Sequence, residues 1–299
     1  MDPIQKILVC LDLTEIDPVL VRYAANIAPQ ISAETLFFLH VIQAYDLPGK
    51  SGKHFQDDEK DLSRAIYQSL ADQVADAVPE SMETEILIDI AEEDAANGIL
   101  QRIDDLDADL VIIGQKPDKD RQGHYGKKIM ADCKCDTLLI PADANQIIDK
   151  ILCCLDFSKD SEKGFSRALD FQKKFGSSLV CYYLHDRTSA YFPASTKKSA
   201  DANRKKAKKQ YQEFMDRFDI APGDIPCRIQ HMDADSNTDE GVHICDAAND
   251  EHADMIIVGA AGDSGKVTTL LGHIAESLRR EQKHLPVMIV KNAKSSGFF

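Results

Sequence analysis

Apolar residues recur along this chain with two alternating periods. Short apolar runs of strand length lie at 6–12, 35–40, 84–90, 110–113 and 137–140, then again at 151–155, 178–185, 226–232 and 255–258, with a last one ending at Val290. Between them the apolar positions take helical spacing, over 16–31, 95–106, 159–175, 197–217 and 239–250. A charged stretch from 54 to 60 leads into one more helix, in which Leu62, Ile66, Leu70, Val74 and Val78 line one face. Strands that alternate with helices predict an α/β fold with a parallel sheet covered on both faces.

The pattern runs twice. Lys6-Ile7-Leu8-Val9-Cys10-Leu11-Asp12 recurs 144 residues later as Lys150-Ile151-Leu152-Cys153-Cys154-Leu155-Asp156. Each copy continues with an amphipathic helix and an apolar strand ending in Leu-His, at Leu39-His40 and Leu184-His185. A period this long predicts domain duplication, with domains over 1–144 and 145–299 and a short linker at 142–149. Each copy reads as five strands and four helices. In such sheets ligands sit beyond the carboxyl ends of the strands, where the strand order reverses. Asp12 and Asp156 end the first strands there, and Gly114 and Gly259 follow the fourth strands.

The richest chemistry lies over 254–290. An apolar strand, Met255 to Val258, delivers Gly259, Gly262 and Gly272 to an amphipathic helix marked by Ile274 and Leu278. Glycine lets backbone N–H groups approach an anion closely, and a helix start adds unpaired donors and partial positive charge, so the pattern points to phosphate cradling. A rival P-loop reading fails, because Ala260 stands where the first glycine belongs and Val267 replaces the Mg²⁺-binding hydroxyl, leaving only Gly265-Lys266. A glycine-rich loop with no ligand is the plain alternative.

The Ile-Leu-x-Cys-Leu-Asp first strands, the Leu-His pairs and the glycine spacing after Asp254 together resemble the universal stress protein family over essentially the whole chain. The resemblance implies two tandem doubly wound domains of strand order 3-2-1-4-5, and family dimers form through the last strand, so the halves of a tandem chain could pair as an internal pseudo-dimer. It also implies an ATP site, with or without Mg²⁺, in the C-terminal domain. Asp156 would lie near the base and ribose, Gly259, Gly262 and Gly272 would frame the phosphates, Lys266 would supply a charge, and Met232 would belong to the same nucleotide site. His273 stands where the family has Ser or Thr.

The first copy departs further from that pattern. Asp12 and Gly114 are kept, but Pro117 takes the second glycine position, and Gly126 comes one residue early and is followed by Lys127. Proline offers no N–H, which predicts a degenerate site in a loop carrying Gly114, Gly123 and Gly126. Charge separates the halves in the same direction. Residues 1–149 hold 29 acidic and 13 basic residues, a net of −16, and residues 150–299 hold 21 and 22, a net of +1. The acidic half repels polyphosphate over a Debye length of about 8 Å.

The remaining composition narrows the function. No apolar run approaches the roughly 20 residues of a membrane span, and MDPIQKILVC has no signal-peptide layout, which predicts a cytoplasmic protein without membrane association. Of eight cysteines, Cys10, Cys153, Cys154 and Cys181 fall inside apolar strands, as reduced core residues do. Cys133 and Cys135 lack the usual metal or redox spacing, and no metal site is expected. The basic run 204–209 reads as a solvated helix face, with docking to an acidic surface as its other use and no specific nucleic-acid binding. No nucleophile is spaced with a base, so turnover is not demanded. Three functions stay open: a non-enzymatic adenine-nucleotide-binding stress protein, a nucleotide-free scaffold for a protein partner or another small ligand, and a slow ATPase using Asp156, Asp233 or His273. A homodimer is compatible with each.

Overall fold

The computed structural model describes residues 2–42, 55–92, 94–115, 121–185, 197–231, 239–260, 273–282 and 284–291. They form two units, Asp2–Gln146 and Ile147–Asn292. The first contains β1 (Lys6–Leu11), α1 (Asp17–Ile31), β2 (Thr35–Ile42), α2 (Phe55–Ala77), β3 (Glu85–Glu92), α3 (Ala95–Leu106), β4 (Leu110–Gly114), α4 (Arg121–Asp132) and β5 (Asp136–Ile140). The second contains β6 (Lys150–Leu155), α5 (Lys159–Phe175), β7 (Ser178–His185), α6 (Lys197–Asp216), β8 (Cys227–His231), α7 (Glu240–Asp250), β9 (Met255–Gly259), α8 (His273–Glu281) and β10 (Val287–Val290).

Within the first unit the parallel strands run β3-β2-β1-β4-β5, and within the second β8-β7-β6-β9-β10, the expected 3-2-1-4-5 order in each. The inner strands are buried on both faces: Leu110 to Ile113 and Met255 to Val258 are at most 4% exposed. Continuous apolar runs rather than alternating ones follow from that two-sided burial.

One device repeats at the amino ends. The Asp109 carboxylate accepts the backbone N–H groups of Gln5 and Lys6, both at 2.9 Å, and Asp254 accepts those of Asp149 and Lys150 at 3.0 and 2.9 Å. Lys6 and Lys150 add bonds to the carbonyls of Leu106 and Glu251. The aspartate before each fourth strand thereby pins the first strand beside it, which sets the switch point at the opposite end.

Strand β7 ends at Leu184-His185 as expected, whereas β2 runs past Leu39-His40 to Ile42. His40 pairs in register with Leu11, but Tyr183, not Leu184 or His185, occupies that place beside Leu155. The two Leu-His pairs are therefore not equivalent, since a continuous apolar strand buried on both faces carries little register information. Gly123 and Gly126 lie inside α4 rather than in a loop. Ile129 and Met130 are buried on that helix, and its packing overrides the helix-breaking tendency of its two glycines.

The turns after the first strands place a non-glycine residue in the left-handed region in both units, Leu13 at φ 60° and Phe157 at φ 64°. In the first unit the turn is held from below by Asp17, a fully buried carboxylate that accepts the N–H groups of Asp12 at 3.1 Å and Leu13 at 2.7 Å. The residue 144 positions on is Ser161, whose hydroxyl donates to the Ser158 carbonyl at 3.1 Å. Burial pushes the Asp17 carboxyl up to about 6, against the two amide bonds that favour its charge.

Two predictions follow from this packing. A Cβ at Gly164 on α5 would stand 3.0 Å from the Gly259 backbone nitrogen, whereas one at Gly126 would meet only Ile113 at 3.7 Å. Gly164→Ala therefore lowers stability by about 1–3 kcal/mol, and Gly126→Ala raises it by about 0.5–1 kcal/mol, as urea midpoints will read. Because the Asp17 pKa is higher folded than unfolded, its contribution is fully present below about pH 4 and is lost as pH rises through about 6. The stability of the wild type relative to Asp17→Asn should fall across that window; a flat difference contradicts the burial argument.

Candidate functional site

At the carboxyl end of β6, Asp156 is exposed, and one of its oxygens, Oδ1, accepts from the Ser158 N–H at 2.9 Å and the Ser158 hydroxyl at 2.5 Å. That hydroxyl in turn accepts from the Ser161 N–H at 3.2 Å and caps α5. These bonds fix the carboxylate in place while Oδ2 takes no part in them. An Asp followed two residues later by Ser is a local turn signal, legible in the sequence as an Asx-type motif.

An aromatic group adjoins this carboxylate. The Phe157 ring centroid lies 4.5 Å from that of Tyr183 and 5.6 Å from that of Phe214, and Phe165 and Phe218 extend the cluster. The Tyr183 phenol is pushed up by burial and then by the Asp156 charge, which places the two side chains in one electrostatic neighbourhood. Neither aromatic residue stands out in the sequence, because a lone Phe after a strand gives no spacing signal.

Gly259 ends β9, the neighbour of β6 through the Cys153–Ile257 register. The next N–H, of Ala260, is bonded to the Val290 carbonyl at 2.8 Å. Helix α8 begins at His273, where a helix start was expected. Its position is anchored by Asp239, which caps α7 through the Gly241 N–H at 3.0 Å and accepts from Ser277 and from Arg280 on α8. Burial opposes ionisation of Asp239, but those donors outweigh it and hold the carboxyl below its ordinary range. Met232, Gly262, Lys266, Gly272 and the His273 side chain lie outside the described residues. Asp156 and Gly259 thus stand at the ends of adjacent strands of the second unit, and α8 begins at His273 in the same unit.

The first unit has the same frame with a different filling. Asp12 Oδ1 accepts from the Thr14 hydroxyl at 2.6 Å, and Gly114 ends β4 beside β1. Ile16 covers this glycine: a Cβ on Gly114 would stand 2.9 Å from the Ile16 Cδ1. Ile16 is itself 5% exposed, and the residue 144 positions on is Asp160. Gly126, on α4, does not join the strand-end loop. Pro117 lies outside the described residues.

None of the eight cysteines is in a disulfide. Burial pushes Cys227 up to about 12 and, with Glu281 as a further cause, Cys245 to about 12, so both stay protonated near neutrality. Cys133 contacts the Thr137 hydroxyl at 3.2 Å inside the core. Among the described residues no group of three or more His, Cys, Asp or Glu side chains is arranged to hold a metal ion, and no helix is long and apolar enough to cross a membrane.

Comparison with solved structures supports the architecture. A universal stress protein from Archaeoglobus fulgidus DSM 4304 matches with TM-score 0.65 at 17% identity, covering 97% of each chain. A protein of unknown function from Pseudomonas aeruginosa PAO1 matches with TM-score 0.65 at 16% identity, over 96% of this chain and 92% of its own. The universal stress protein from Archaeoglobus fulgidus in complex with dAMP covers 46% of this chain and 99% of its own at 14% identity, with TM-score 0.34. No curated protein matches the chain in sequence. The sequence model of the Universal stress protein family matches twice, over residues 3–141 and 148–291. The chain belongs to the universal stress protein family, as a tandem of two such domains.

Proposed function

We propose that the C-terminal domain binds one adenine nucleotide, ATP alone or with Mg²⁺, and that the N-terminal domain binds none and serves as a structural or interaction domain. The observation that carries this reading is the contrast at the fourth-strand glycines. Gly164 of α5 comes up against the Gly259 backbone, whereas Gly114 lies under the Ile16 side chain, and the residue 144 positions after Ile16 is Asp160. In the first half a backbone that a phosphate would have to approach closely is roofed by an apolar side chain, and the second half does not repeat that isoleucine.

Charge and turn chemistry point the same way. The N-terminal half carries −16 and the C-terminal half +1. Asp156 is exposed with one carboxylate oxygen uncommitted by its turn, as a ribose-hydroxyl or base-amine acceptor requires. Lys266 and the α8 start would meet the phosphates, and Mg²⁺ would arrive on the polyphosphate and neutralise part of its charge. The reading is one of binding without turnover. The thiols, none of them in a disulfide and most of them buried, suit a reducing cytoplasm.

Calorimetric titration of ATP with Mg²⁺ tests the assignment on variants. Asp156→Ala and Gly262→Ala should each weaken binding by about tenfold or more, since each removes a polar contact or the close backbone approach. Asp12→Ala should leave affinity unchanged. Unchanged affinity in both C-terminal variants would transfer the function to a nucleotide-free scaffold.

A further inference from the structure

Helices α2 and α6 occupy equivalent places, each joining the second strand of its unit to the third. Their charges are opposite. Helix α2 carries six acidic and two basic residues, a net of −4, and α6 carries seven basic and three acidic residues, a net of +4. On α6 the apolar seam is already used: Ala207, Phe214 and Met215 are buried, and the Tyr211 hydroxyl donates to the Ile225 carbonyl at 2.8 Å. Arg204, Lys205, Lys206, Lys208 and Lys209 are all exposed. Among the described residues, the ion pair found for this group is Lys209 with Glu213, at 3.1 Å.

We propose that the cationic face of α6 docks on the acidic N-terminal domain of a second copy of this chain, with α2 as its counterpart. A lipid surface is disfavoured, because a membrane-bound basic helix needs a free apolar face and that of α6 is packed in its own unit. Nucleic acid is disfavoured by the net charge of −15 on the chain as a whole. A second copy carries −15 as well, but it concentrates −16 on one domain, with the oppositely charged equivalent helix, so the near-neutral C-terminal half of one chain can meet it locally. Such a contact joins unlike surfaces, so it closes into a ring or extends into a chain, and in either case the mass rises with concentration. Charge complementarity of this kind is strongly salt-dependent and acts over about 8 Å at physiological ionic strength.

Sedimentation velocity of the full chain over rising concentration reads this directly. At about 50 mM salt the weight-average mass should climb with concentration, and the association constant should fall by about tenfold or more at about 500 mM salt. Reversal of the α6 face (R204E/K205E/K206E/K208E/K209E) should abolish association, as should reversal on α2 (D57K/D58K/E59K/D61K). Mixing the two reversed variants should restore it in a 1:1 ratio. A neutral version of α6, with the same five residues changed to Gln, should lose association too, and circular dichroism checks that each variant is folded. A wild type that stays monomeric at every concentration overturns the proposal. So does association that survives reversal, failure of the mixed pair to associate, or α6-dependent binding of anionic vesicles or duplex DNA without self-association.

Discussion

The geometry of each domain depends on one carboxylate at the amino end of its fourth strand. Asp109 and Asp254 each gather two backbone N–H groups from the start of the first strand, and the lysine after that start reaches back to a carbonyl at the end of the preceding helix. Parallel strands far apart in sequence have no turn to align them, so an ionic acceptor shared across about a hundred residues fixes which residues face each other. From that register follow the neighbouring ends of β1 and β4 and of β6 and β9, and from those ends the switch points.

Duplication lets the two copies serve as controls for each other. Both keep the aspartate after the first strand and the left-handed residue that follows it. They differ in what surrounds the turn. In the first copy Asp17 is buried under it and Ile16 roofs Gly114, so the strand ends are filled with protein. In the second copy a serine cap and an aromatic cluster frame the turn, and Gly164 of α5 packs against the backbone of Gly259. One frame thus hosts two differently filled strand ends, and the net charge of the two halves has diverged as well, −16 against +1.

The fold was legible in the sequence because continuous apolar strands, helical spacing and a 144-residue repeat are all long signals. The helix at Ala95–Leu106 and the α5 span 159–175 match their expected bounds, where caps and apolar spacing agree. Register was not legible: the Leu-His pairs look alike but sit two positions apart in the sheet, because an apolar run reads the same at several offsets. Gly126 read as loop because glycine is a weak helix former, yet two buried neighbours on α4 decided otherwise. At the site, Asp156 and Gly259 were legible as strand-end residues. Asp17, Ile16 and Tyr183 were not, since each acts through a contact that exists only once the sheet has formed.

The central claim is that one chain carries one nucleotide site, in its C-terminal half. The most direct measurement is the number of adenine nucleotides per chain, counted by mass spectrometry of molecules released from the purified protein and by equilibrium dialysis of ATP with Mg²⁺ into stripped protein. The account predicts a single nucleotide per chain. Two per chain would contradict the closed first site, and none would contradict the nucleotide reading altogether.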